Sequence, residues 1–279
     1  MIKSAKKQQR LTSAVKTLFL LLIAVIVALP IYIALVNAFK ESDTIMLSPL
    51  SFPVPPTLEN IGKVLDSPSY NIFQMYMNSA ILVVASVTVC VLVSALASYY
   101  LARTRSKFAG RLLIFFMLGL MVPYVIVYLP LCTMVNQLGI PFGVPLLIFV
   151  FISGNISFSI FMFTNYIKTL PFELEEAAEI DGANKWQTFW MILFPLLKPC
   201  TATICIFVGL NVWNDFLTPL VLGQVQTITV GIYTAIGPHS ADWGIVFSYV
   251  LFATVPIMIV YLLSQKQFIS GLTSGAMKG

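Results

Sequence analysis

Charge is scarce in this sequence. Asp, Glu, Lys and Arg make up 10% of its 279 residues, while 58% are hydrophobic. A soluble domain carries about 25% charged residues, so the shortage excludes an ordinary water-soluble globule. Histidine is scarcer still: His239 stands alone, in the short polar stretch 237–240, and reads as a loop residue. The four cysteines, Cys90, Cys132, Cys200 and Cys205, lie in or at the ends of apolar segments without metal-type spacing. They read as small buried hydrophobes. No G-x4-G-K-[ST] phosphate loop occurs, and no Ser/His/Asp set or pair of carboxylates suggests a catalytic centre. A basic face with base-reading residues is also missing, which excludes nucleic acid as a partner. The chain is therefore expected to be no enzyme by itself and to bind no cofactor or metal.

What is abundant is uncharged length. Residues 17–39, 112–167 and 243–265 carry no charge at all. A membrane-crossing helix needs about 20 apolar residues at about 1.5 Å rise each. The middle stretch must then hold two spans and a turn. Six spans follow, at 17–39, 77–101, 112–133, 145–166, 200–221 and 243–264. The apolar run after Lys16 is too long for a signal-peptide core and lacks a small-x-small site before Lys40, so it reads as a retained first helix. Pro30, Pro123 and Pro130 lie inside spans, where neighbouring helices or cavity water satisfy the freed carbonyls.

The basic residues orient this arrangement. Fourteen of the sixteen Lys and Arg fall in the N-terminal tail (1–16), the loops after the second and fourth spans, and the C-terminal tail (265–279). Only Lys40 and Lys63 fall on the other side. Lys and Arg collect in cytoplasmic loops, so six spans with both termini cytoplasmic satisfy parity and charge together. The net charge of +5 needs no acidic partner to explain it. Residues 40–76, with Pro49, Pro53, Pro55, Pro56 and Pro68, form an outer segment expected to have no core of its own.

One cytoplasmic loop, 167–199, reads IKTLPFELEEAAEIDGANKWQTFWMILFPLLKP. Thr169 is placed to cap a helix, with Pro171 in its first turn. Glu173, Glu175 and Glu176 crowd the N-terminal end, where the helix dipole favours negative charge. Gly182, after Asp181, supplies a left-handed stop. A second helix is expected from Ala183 or Asn184 to Phe194, with Pro195 and Pro199 preventing an unbroken run into the fifth span. Ala177 and Ala178 leave a small edge that another surface can approach closely. By residue chemistry alone, a docking lever and a solvated interfacial helix both remain open.

Glu176-Ala177-Ala178, Asp181-Gly182-Ala183, Phe189, Ile192, Pro195 and Pro199 resemble the EAA loop of ABC importer permeases throughout their spacing. The stretch from Asn78-Ser79 to Ala102-Arg103, the last span with Pro256, and the tail 265–279 resemble the maltose-transporter-type second permease of the sugar subfamily. The resemblance covers residues 70–279 well and residues 1–69 in layout only. It implies an all-α, six-span type I ABC importer permease, with its core at 77–264, in the cell membrane. It also implies partners: a sister permease, two ATPase subunits that use the ATP and Mg, and an extracytoplasmic solute-binding protein delivering a sugar. Glu176 through Ala183 become the element that docks on the ATPase, Gly182 its turn, and Phe189, Ile192, Pro195 and Pro199 its support.

Polar residues inside spans offer a path for the solute. Asn211, Trp213, Asn214 and Asp215 form a patch in the fifth span, with Asp215 roughly 22 Å along it from Cys200. An intramembrane acid costs about 2.5–3.5 kcal/mol on insertion scales and so faces a cavity or partner, while Asp215, in the outer half of the span, is also placed to reach outer-interface water or to serve helix packing. Asn78 and Asn155 are further candidates, and Trp213 and Trp243 are placed either to stack on sugar rings or to anchor at the interface. Two other functions remain: an ABC permease for a non-sugar solute such as a glycerol phosphate or polyamine, and an ion-coupled secondary carrier, for which Asp215 is the one candidate acid.

Overall fold

The computed structural model describes residues 2–67, 71–237 and 241–276, with side chains over 13–67, 71–237 and 241–265. Pro68, His239 and the side chains of residues 2–12 and 266–276 in the two basic tails lie outside the described residues. The described chain is helical. In order it forms α1 (Ile2–Ala38), α2 (Ser42–Ile45), α3 (Glu59–Leu65), α4 (Ile72–Arg103), α5 (Lys107–Gly119), α6 (Tyr124–Gln137) and α7 (Val144–Ile167). It continues with α8 (Glu173–Ile180), α9 (Lys185–Leu196), α10 (Lys198–Asn214), α11 (Ile228–Ala235) and α12 (Trp243–Ala276).

Among the described residues, Ser13–Ala38, Ile72–Arg103, Val144–Ile167 and Trp243–Gln265 are long and apolar enough to cross a membrane. Two bent pairs, each counted as one span, bring the total up to six. The expected third span, 112–133, is two helices: α5 and α6 meet at 98°. Pro123 stands at the cap of α6, and a proline bars the residue before it from the helical region. The fifth also differs. Helix α10 ends at Asn214 rather than continuing to 221, and it meets α9 at 73°. Pro199 in its first turn lacks the N–H that would continue the α9 ladder.

The chain divides into two compact units, Met1–Asn71 with Ile232–Thr254, and Ile72–Gly231 with Val255–Gly279. In the first, polar contacts order the outer segment. Asn37 Nδ2 donates to the Pro49 carbonyl at 2.9 Å, and the buried Lys40 ammonium donates to the Ser48 carbonyl at 2.6 Å. Asp242 caps α12, accepting from Gly244 N–H at 3.0 Å and from the Ser42 hydroxyl at 2.6 Å.

In the second unit, α4 packs along α7 and α10. Ser86, Cys90, Ser94 and Ser98, four residues apart, lie buried in one stripe along α4. Small residues at this spacing bring helices close where lipid removes the hydrophobic drive between them. The stripe bonds directly to α7: Ser98 donates to the Ile160 carbonyl at 3.1 Å, and Cys90 Sγ meets Ser159 Oγ at 3.3 Å. Leu82, Ala95, Phe151, Phe163, Ile167, Ile204 and Val208 fill the space around it.

Candidate functional site

The loop after α7 folds as two helices around a tight turn. Thr169 does not cap α8. Helix α7 stops at Ile167, and the Thr169 hydroxyl turns back to the Tyr166 carbonyl at 2.8 Å. Phe172 takes the cap position, which leaves Pro171 one residue before it. At the other end Gly182 has φ +84, in the left-handed region glycine favours. Ala183 N–H reaches the Ala178 carbonyl at 2.9 Å and Gly182 N–H the Glu179 carbonyl at 3.1 Å, the paired bonds of a Schellman stop. Asn184 then starts α9 with a reciprocal capping box: Gln187 N–H to Asn184 Oδ1, and Asn184 N–H to Gln187 Oε1, both at 2.9 Å.

Helix α9 runs past its expected end at Phe194, through Pro195, to Leu196. Residues Thr188–Leu193 are wound as a π-helix. Its wider turn makes room for the Pro195 ring, which would clash in a regular α-helix. Phe189 is buried in an aromatic cluster, with ring centroids 5.5 Å from Tyr99, 4.9 Å from Trp190 and 5.9 Å from Phe194. Ile192 is half-buried, and Pro195 and Pro199 are exposed.

Helix α8 separates its acids by face. Glu173, Glu176, Glu179, Ala177 and Asp181 are exposed, as are Ile180 at 86% and Gly182. Glu175 and Ala178, three apart and so on one side, are buried at 4% and 3% exposure. Ala178 is therefore closed against its own chain, and only Ala177 of the expected small edge stays open. The partner of Glu175 was invisible in the sequence. Its Oε1 accepts from Arg103 Nε at 2.6 Å and its Oε2 from the Tyr99 hydroxyl at 3.1 Å. Arg103 Nη2 also donates to the Leu170 carbonyl at 3.2 Å, and its guanidinium lies 5.6 Å from the Phe172 ring centroid.

The intramembrane polar residues divide into two groups. Asn211 is exposed on α10, and Asn155 Nδ2 on α7 reaches its Oδ1 at 3.4 Å. Asn214 is exposed, and Trp213 sits 6.4 Å from the Tyr76 ring. Asn78 donates to the Gln226 carbonyl at 2.8 Å. Asp215 is otherwise engaged. It ends α10, and its carboxylate accepts from Thr218 N–H at 3.1 Å, from the Thr218 hydroxyl and from the Tyr128 hydroxyl at 3.3 Å. Among the described residues, no three His, Cys, Asp or Glu gather closely enough to hold a metal ion.

Comparison with known proteins agrees with this architecture. Residues 91–274 match the family described as binding-protein-dependent transport system inner membrane component. The multiple sugar-binding transport system permease protein MsmG of Streptococcus mutans is 32% identical over 282 residues, covering 98% of this chain and 100% of that protein. The trehalose/maltose transport system permease protein MalG of Thermococcus litoralis is 35% identical, over 93% of this chain and 94% of its own. A chain of the crystal structure of a bacterial ABC transporter involved in importing the acidic polysaccharide alginate shares the fold. The TM-score is 0.79 at 20% identity, over 92% of this chain and 96% of that one. A matched family core, relatives aligned along nearly their whole length and a shared helical fold lead to one conclusion: this chain belongs to the ABC importer permeases, the inner membrane components of binding-protein-dependent transport systems.

Proposed function

We propose that this permease carries an oligosaccharide, together with a sister permease, two ATPase subunits and an extracytoplasmic solute-binding protein. The observation that carries the reading is α8: a short helix with exposed Glu176, Ala177, Ile180 and Asp181, stopped by Gly182 and anchored by Glu175. Its exposed residues offer negative charge and the apolar side chains of Leu174 and Ile180 to a docking groove. ATP and Mg are handled by the ATPase subunits, and their closure pushes α8 to drive alternating access. The basic bias of the tails and of the 103–111 and 168–198 loops supports a cytoplasmic location for α8 and both termini.

The paired Asn155 and Asn211, with Asn214 and Trp213, supply amide donors, acceptors and an aromatic ring of the kind that hydroxyl-rich solutes need. Asp215, held by three protein donors, is suited to shaping the end of α10 rather than to moving an ion. The sugar assignment rests on the relatives, one named for multiple sugars and one for trehalose and maltose. The test is uptake by vesicles containing all four components, offered radiolabelled maltose, trehalose, raffinose and glycerol 3-phosphate. The expected result is accumulation of at least one of the sugars, dependent on ATP and the binding protein. Accumulation of glycerol 3-phosphate alone, or sugar uptake driven by an ion gradient without ATP, overturns the reading.

A further inference from the structure

We infer that Tyr99, Arg103 and Glu175 form the joint through which motion of α8 reaches α4, and that they set how tightly ATP hydrolysis is tied to the permease. The inference rests on α8 being the coupling element. Helix α8 has eight residues and hangs between two turns, so a push on it needs a stiff attachment to reach the membrane. Tyr99 and Arg103 are one turn apart at the last turns of α4, the helix packed along α7 and α10. Each holds one oxygen of Glu175, at 3.1 and 2.6 Å. Arg103 holds the approach to α8 as well, through the Leu170 carbonyl and the Phe172 ring. One guanidinium thus ties three points of the segment 170–175.

The chemistry makes this joint directional. Apolar contacts slide, whereas a charge-assisted hydrogen bond from a planar guanidinium fixes distance and angle. Glu175 is 4% exposed, so water cannot readily replace a broken partner. The other glutamates of α8 are exposed and free to meet a docking subunit, while Glu175 is committed to its own chain. Tyr99 extends the joint to α9 through its ring, 5.5 Å from Phe189. Both loop helices are therefore fastened to the end of α4.

Coupling between two conformational equilibria is reciprocal: if the position of α8 biases α4, the resting arrangement of α4 biases α8, and with it the population of the closed ATPase pair from which hydrolysis proceeds. Weakening the joint should release that bias. The test uses the assembled complex of this chain, its sister permease and both ATPase subunits in vesicles without binding protein or sugar. The readout is ATP hydrolysis per assembled complex. Glu175→Gln and Arg103→Lys are each expected to raise it by about fivefold or more, the lower range of an allosteric coupling, with unchanged co-purification of the ATPase. Tyr99→Phe removes one hydrogen bond while keeping the ring, and is expected to raise it about twofold. Loss of a merely structural contact would lower assembly and leave the rate per complex unchanged.

If Glu175→Gln and Arg103→Lys fail to assemble, Tyr99→Phe decides: a raised rate supports the joint and an unchanged one overturns it. An unchanged or lowered rate per complex in all assembling variants overturns the joint. Gly182→Val separates the two readings. If it loses the ATPase subunits while the joint variants hydrolyse at the wild-type rate, only the joint falls. If it too assembles and hydrolyses as wild type, α8 is not the coupling element and the joint falls with it.

Discussion

Gly182 is a residue whose sequence reading and geometry coincide. Its φ of +84 is tolerated by glycine, and an added Cβ would meet nothing within 4 Å. The cost of a substitution is therefore backbone strain alone. For Gly182→Ala that strain is about 1–2 kcal/mol, and a β-branched Gly182→Val costs more. Gly182→Val is expected to leave membrane insertion intact and to reduce ATPase co-purification, measured on affinity-purified complexes. Its neighbours were less legible. The three glutamates near the start of α8 look alike in sequence, all suited to the helix dipole. Only the fold shows Glu175 turned inward, because its partner Arg103 lies 72 residues earlier. The same inward turn takes Ala178 from the open edge. Asp215 was read as an intramembrane acid facing a cavity or a partner, and its carboxylate bonds to Thr218, three residues on, and Tyr128, 87 residues away.

Among the elements, the second and fourth spans were read closely, at 77–101 and 145–166 against Ile72–Arg103 and Val144–Ile167, whereas the third and fifth were not. Between Arg111 and Lys168 hydropathy reports how much apolar chain is present but not where it turns. The 98° break between α5 and α6 was accordingly hidden, although Pro123 marked the place. The small-residue stripe of α4 was legible in principle, as Ser86, Cys90, Ser94 and Ser98 recur every four residues. Cys90 was read on its own as a small buried hydrophobe, and the three serines were not singled out. The stripe makes a direct prediction. Ser98→Leu introduces bulk where the residue is fully buried and removes the bond to Ile160. A loss of about 1–3 kcal/mol or more is expected, seen as a lower melting temperature of the detergent-solubilised chain. Ser106→Leu, at the start of α5, removes the cap on Ala109 N–H and costs about 1 kcal/mol in the same assay.

At the scale of the whole molecule, the topology proposed from the basic residues is one that labelling can check. Cysteines replacing Ser106 and Lys185 are expected to react only from the cytoplasmic side, and one replacing Ser51 only from outside. Reaction at position 185 from outside would remove α8 from the reach of an ATPase. The central claim is that α8 is where this permease meets the subunits that hydrolyse ATP. The most direct measurement places a photo-reactive benzophenone on Ile180→Cys, the most exposed large apolar side chain of that helix at 86%, in the assembled complex. Irradiation is predicted to yield a covalent adduct with an ATPase subunit, absent when the same probe is placed at the exposed Phe52 of the outer segment. Adducts from position 180 with lipid or the sister permease, and none with the ATPase, would contradict the account.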